Sequence, residues 1–350
     1  MSRFLQIHFL TAYAPSNLNR DDLGRPKTAL FGGTQRLRVS SQSLKRAWRK
    51  SEGFETYLKG HIGTRTKDFG NVVHAELVKD LDAKKADAVA KQIAAVFGAL
   101  KSKGDEEALR QTETLVHITP DELGALKSLA VILAKEKREP TEDELACLVA
   151  TANGAADIAL FGRMLAAKPG FNVEAAAQVA HALSVHKVVI EDDYFTAIDD
   201  LNRKEDSGAG HVGTQEFASA VLYQYVCIDL AQLAENLGGD KELRKKTLEA
   251  FMRACLTVAP SGKQNSFGSR ALASFALAEK GDFQPRSLAV AFLEPVKGER
   301  ILADAVTRLL KTKENFDRVY ATEVKSCVLD ATKDKDAGSL AELTKFASEA

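Results

Sequence analysis

The sequence predicts an α+β chain in which a helical lobe interrupts a sheet-forming domain. Three observations carry that reading. Runs rich in β-branched and aromatic residues stand early and late, at RFLQIHFLTAY (3–13) and FASAVLYQYVCIDL (217–230). The block from Asn71 to Asn153 is instead rich in Ala, Leu, Lys and Glu, with apolar residues at helical spacing. Between the first strand and that block, Arg36 to Lys50 holds six basic residues and no acid, in a chain whose 48 basic and 48 acidic residues otherwise balance.

Each element follows in order. Phe4, Ile7 and Phe9 do not alternate perfectly, but the β-branched and aromatic content of 3–13 reads as a buried strand. Residues 17–33, NLNRDDLGRPKTALFGG, read as a long basic loop, with Gly32-Gly33 free to turn sharply. The Ser40-Ser41 pair marks a helix start, because a Ser hydroxyl can accept from an orphan first-turn amide. On that helix Gln42, Lys45, Arg46 and Arg49 share one face, and Leu44, Ala47 and Trp48 lie opposite. One side can pack on a core while the other offers charged donors, and the helix start itself favours phosphate. A basic helix face can also serve solubility alone.

In the lobe, residues 80–100 place Val89, Ile93, Val96, Phe97 and Leu100 on one face. Thr119-Pro120 with Glu122 spells a capping box for a helix over 119–137, and Thr141 caps a third helix over 140–153. No catalytic motif occurs there. ADIALFGRM (156–164) reads as a strand and VEAAAQVAHALSVHKV (173–188) as a helix. Residues 189–217 are acidic, then Gly-rich, and read as an extended excursion in which Tyr194 and Phe195 sit too close to acids for a core. A helix follows over 241–255, then a loop over 260–270. ALASFALAE and SLAVAFLEP read as strands, and helices near 298–318 and 339–348 complete the series. An antiparallel sheet with helices on one face is the ferredoxin-like plan, which many RNA-binding modules use.

Several function classes recede. The four cysteines are scattered without a C-x-x-C pair, which gives no zinc spacing and fits a reducing cytoplasm. No apolar run is long enough for a membrane span, and the N-terminus does not resemble a signal peptide. His181 and His186 are five apart, so they are not an i, i+4 zinc pair, and a buried or capping role is expected for both. No G-x-S-x-G nucleophile motif occurs. No cofactor, metal or catalytic residue is expected.

The segments NLNRDD, FGGTQRLRVSSQSLKRAWRKS, DIALFGRM, AHALSVHKVVIEDDYFTAIDDL and HVGTQEFASAVLYQY resemble the backbone subunit of type I-E Cascade, the CRISPR RNA-guided surveillance complex. The likeness is specific over the first 55 residues and roughly 155–260. It implies an RRM-like palm (1–55, 154–188 and 217–350), an inserted helical fingers lobe (56–153) and an extended thumb loop (189–216). It further implies copies stacked head-to-tail along a CRISPR RNA as a cytoplasmic ribonucleoprotein for antiviral defence. Other Cascade subunits and target DNA, reached through the guide, are the remaining partners. Each thumb would displace one guide nucleotide.

Carried over by position, the resemblance assigns guide phosphates to Ser40, Gln42, Lys45, Arg46 and Arg49, with Arg20 and Lys27 as further contacts. Met164, Phe195 and Thr196 would pack around the kinked nucleotide. The chain departs from the family at Tyr194, where the family carries Trp. Lys263 and Gln264 match a family loop. Two alternatives stand beside this non-catalytic reading. One is a metal-dependent ribonuclease of the type III kind, using Asp21 or Asp22. The other is a general single-stranded RNA-binding protein with the same basic groove.

Overall fold

A computed structural model describes residues 2–149, 153–165, 168–197 and 211–349. It divides into two compact units, Met1–Phe54 with Val179–Cys227 and Leu248–Ala350, and Glu55–Gln178 with Ile228–Thr247.

The first unit is built on a mainly antiparallel sheet. Its strands run in the spatial order Lys325–Asp330, Ala273–Gly281, Phe4–Ser16, His211–Asp229, Ala182–Ser184, Thr34–Val39 and Thr28–Phe31. The first strand is central and buried on both faces, which explains its broken alternation: Leu5, Ile7 and Phe9 point one way, His8 and Leu10 the other, all 1% exposed or less. Beneath one face the basic helix Ser41–Arg49 sets Trp48 edge-on to Phe251 of helix Lys241–Thr257, with ring centroids 5.6 Å apart. The other face packs Leu10, Tyr223, Phe275 and Leu277 against Leu288, Phe292 and Leu309, the last from helix Ile301–Tyr320.

That second face also buries a charged network. His8 Nδ1 lies 2.9 Å from the Tyr223 hydroxyl, and its Nε2 is 3.2 Å from Glu279. Arg286 bridges Glu279 and Asp317 at 3.1 and 2.7 Å. Burial alone would raise the Glu279 pKa, but His8 and Arg286 carry it from 4.5 down to about 2.

The second unit is mainly helical. Phe69, Val73, Ile93, Phe97, Leu126 and Leu133 form its core. Both expected capping boxes are present, at Thr119/Glu122 on helix Pro120–Glu136 and at Thr141/Glu144 on the shorter helix Glu142–Ala146. The fully buried Glu122 carboxylate also receives Arg163 at 2.8 Å.

Three local expectations fail and one strand is additional to them, each for a physical reason. Residues 156–164 do not form a strand; Ala156–Phe161 is a helix. Its residues Ala156 to Leu160 are all buried, and a short apolar run buried on every side has no periodicity to separate helix from strand. Asp157 within it takes the Gly63 amide at 2.8 Å and His117 at 2.9 Å. Residues 173–188 do not form a helix; Ala177–Val179 and Ala182–Ser184 are short strands. Sheet pairing overrides the alanine-rich helix preference there. SLAVAFLEP forms a 3₁₀ turn at Ala289–Phe292, which turns Leu288 and Phe292 into the core. Strand Lys325–Asp330 was unforeseen because, as an edge strand, it shows only partial burial.

Candidate polyanion-binding face

The basic segment is a strand and a helix joined end to end. Thr28–Phe31 and Thr34–Val39 form a hairpin, so the supposed long loop is partly sheet. Gly32 and Gly33 close it with φ of 58° and 72°, the left-handed pair that a two-residue turn requires. At Gly32 a Cβ would stand 1.6 Å from the Leu293 carbonyl oxygen, so only glycine fits.

The helix begins as its sequence predicts. Ser40 is extended (φ −69°, ψ 147°) and its Oγ accepts from the Ser43 amide at 3.3 Å. Its own amide donates to Asn19 Oδ1 at 2.9 Å, which ties the preceding loop to the helix start. No acid occupies the first turn. Leu44 and Trp48 are buried, Gln42 and Arg46 are exposed, and Lys45 and Arg49 are half-buried. Burial pushes the Lys45 pKa down, as for a stem laid on apolar surface with its charged head outward.

Arg36 is not part of this face. It is fully buried, and its guanidinium donates to Thr34 Oγ1 (2.9 Å) and to the carbonyls of Ser184 and Phe292 (both 2.8 Å). Arg36 therefore belongs to the interior of the sheet unit rather than to its cationic face.

Two clefts adjoin the face. One, of about 660 Å³, is lined by Arg46, Lys50, Gln264 and Arg270 among others. The second, of about 600 Å³, is lined by Asn17, Arg20, Arg25, Asp192 and Lys263 among others. In the wall of the first cleft Gly262 presses on the Leu18 carbonyl; a Cβ there would lie 2.3 Å from its oxygen. Among described carboxylates, Arg20, Lys27, Arg38 and Arg46 find no ion-pair partner. Arg25 pairs with Glu216 at 3.0 Å.

The excursion 189–216 is a two-stranded arm where it is described: Glu191–Ala197 pairs with residues 211–217 in antiparallel register. Its tip, 198–210, lies outside the described residues. Tyr194 (66% exposed), Phe195 and Thr196 line one strand, and Phe195 lies over Gly213, where a Cβ would meet its ring at 2.4 Å. The arm's base is fixed by Asn17, whose amide donates to the carbonyls of Gly24 (3.0 Å) and Glu216 (2.9 Å).

The structure thus gathers Arg20, Lys27, Ser40, Gln42, Lys45, Arg46, Arg49, Lys263 and Gln264 in the sheet unit, with Tyr194, Phe195 and Thr196 on its arm. Gln264 has a structural duty once its side-chain amide is turned to the orientation that satisfies both of its ends: its oxygen then accepts from the Ser269 and Arg270 amides at 2.9 and 3.1 Å. Met164 belongs to the helical unit and is 79% exposed, which rules out core packing. Asp21 shapes a turn, its Oδ1 accepting from the Leu23 and Arg25 amides at 2.9 Å each. His181 is exposed rather than buried, while His186 does hold backbone, at Lys187 and Val221. Sequence reading overlooked Lys50 and Arg270 as cleft-lining cations; Lys50 was counted in the basic run, but Arg270 stands alone in its loop.

An antiparallel α+β sheet unit with a cationic face and adjoining grooves has what a polyanion binder requires. The chain belongs to the CT1975-like protein family, whose model matches residues 5–348. It is similar to a solved chain of a "CRISPR RNA-guided surveillance complex, pre-nicking", with TM-score 0.86 and 30% identity over 98% of this chain and 100% of that one. A chain of a second "CRISPR RNA-guided surveillance complex" aligns at TM-score 0.75 and 26% identity, again over 98% and 100%. A search of curated proteins returns no match. Among the described residues no helix is long and apolar enough to cross a membrane.

Proposed function

We propose that this protein is the crRNA-binding backbone subunit of a type I-E Cascade surveillance complex, and that it binds without cutting. The carrying observation is the face of Arg20, Lys27, Arg38 and Arg46, which lacks carboxylate partners among the described residues in a chain of zero formal net charge. Unpaired cations beside grooves suit a phosphate backbone, whose binding is independent of sequence. Similarity to chains of CRISPR RNA-guided surveillance complexes along the whole length supports the same reading. In it, the sheet unit is an RRM-like palm. Ser40, Gln42, Lys45, Arg46 and Arg49 hold guide phosphates, the Ser40 hydroxyl proton remaining available to donate. Tyr194, Phe195, Thr196 and Met164 contact displaced nucleotides. Copies assemble head-to-tail in the cytoplasm and leave the guide free to pair with target DNA.

The test is titration onto labelled mixed-sequence single-stranded RNAs of increasing length with magnesium, on native and denaturing gels. Stepwise loading on intact RNA is expected. Regularly spaced cuts would replace this reading with a ribonuclease, and Asp22 and Asp21 would be the next variants. Deleting 190–212 should impair stepwise loading more than palm folding; normal loading would show that the arm has no part in head-to-tail assembly.

A further inference from the structure

One cluster on the basic face has a property that the phosphate-contact reading above does not use. Arg38 and Lys27 are cross-strand neighbours, the Arg38 amide donating to the Lys27 carbonyl at 2.8 Å. Like charges so placed repel. The strand ladder, which pairs Arg38 with Leu183 and Val39 with Ala182, brings His181 to the same spot. Arg38 Nη1 lies 3.1 Å from His181 Nδ1.

An arginine can only donate, so the ring accepts at Nδ1 and carries its proton on Nε2. A second proton would remove that acceptor and set a third positive charge beside two others. Arg38 and Lys27 are the charged groups acting on His181, and no carboxylate is among them. Burial, then Arg38, then Lys27, lower its pKa. Burial and two cations without a carboxylate partner among the described residues therefore disfavour the imidazolium in the free protein.

A phosphodiester reverses each of these effects. Its oxygens can accept from Arg38 and Lys27 together, and its negative charge favours the imidazolium. We propose that Lys27, Arg38 and His181 form a proton-coupled phosphate site, in which binding of an RNA phosphodiester is accompanied by proton uptake from solvent at His181 Nδ1. This rests on the RNA-binding reading above. It adds that affinity is linked to pH through one named histidine.

The experiment uses the full chain and a labelled mixed-sequence single-stranded RNA, with anisotropy titrations at fixed ionic strength between about pH 8 and pH 6, the range in which an ordinary histidine changes charge. Wild-type affinity should rise about fivefold toward the acid end, less than the tenfold that a full unit of pKa shift can give. H181Q keeps an acceptor for Arg38 but cannot take the proton. It should lose the rise toward acid pH. R38Q should bind more weakly throughout and also lose the rise. Calorimetry of wild type in two buffers of different ionisation enthalpy reads proton uptake directly, and keeps the test decisive if H181Q folds poorly. Equal pH slopes in wild type and H181Q, or zero proton uptake, would overturn the proton-coupled site and leave RNA binding standing. Absence of wild-type binding at every pH would overturn both.

Discussion

The two units treat their cations in opposite ways. In the helical unit the charges are paired within the fold: Arg110 and Lys91 share Asp87 at 2.8 and 2.6 Å, Arg138 holds Glu144 at 2.6 Å, and Arg163 meets Glu122 in full burial. In the sheet unit Arg20 and Arg46 are exposed, Lys27 and Arg38 are half-buried, and none of the four has a described carboxylate partner. A compensated charge contributes to its own fold and attracts little. An uncompensated one is available to a ligand. Charge content alone does not distinguish the two regions, since both are rich in Lys and Arg. The difference lies in whether a carboxylate stands within reach, through helical spacing for Lys91 with Asp87 and through the fold of the unit for Arg110, Arg138 and Arg163.

This contrast can be broken at its strongest point first. Glu122→Ala removes the partner of a buried guanidinium and half of a capping box. It should destabilise the protein by about 3–5 kcal/mol in a thermal or urea melt. A wild-type melting curve would mean that the Arg163 pair is not a fold determinant. Arg36 tests whether an arginine inside the basic segment can behave like those of the helical unit. Arg36→Met leaves the Ser184 and Phe292 carbonyls without their buried donor and should cost about 2–4 kcal/mol. Equal stability would return Arg36 to the surface set.

The sheet unit's buried network gives a pH-dependent version of the same test. Glu279 has its folded pKa depressed from 4.5 to about 2. Its contribution is therefore complete above about 4.5 and is lost as pH falls through that window. Acid titration of stability should be less steep in Glu279→Gln than in wild type between pH 4.5 and pH 2. Identical slopes would remove Glu279 from the network. The smallest stability change is expected on the open face. Arg46→Ala should shift stability by no more than about 0.5 kcal/mol. It should nevertheless reduce the slope of log affinity against log salt for RNA by about one. A large melting shift with an unchanged salt slope would place Arg46 with the paired cations.

Elements whose burial is one-sided and whose ends carry chemical signals were legible in the sequence. Ser40, Thr119 and Thr141 marked true helix starts because capping is a local hydrogen bond between near neighbours. Leu44 and Trp48 fell on the core side because 3.6-residue periodicity fixes a helix face without reference to anything distant. Residues 156–188 were misread for the converse reason. Ala156–Phe161 is buried all round, and Ala182–Ser184 owes its extended form to the two strands that flank it. At the candidate face, composition located the basic run, but removing Arg36 and adding Arg270 required knowing what lies beside each.

The sequence by itself determined the mixed α+β class, the helix boundaries set by caps, and the acid-free run of cations, since these depend on residues within a few positions of one another. Tertiary structure alone decided which arginines are interior and which are free, that an isolated Arg270 joins a cleft with Arg46, and that His181 meets Arg38 across 143 residues of chain. Such pairings depend on strand register and on burial, and both arise from contacts distant in sequence.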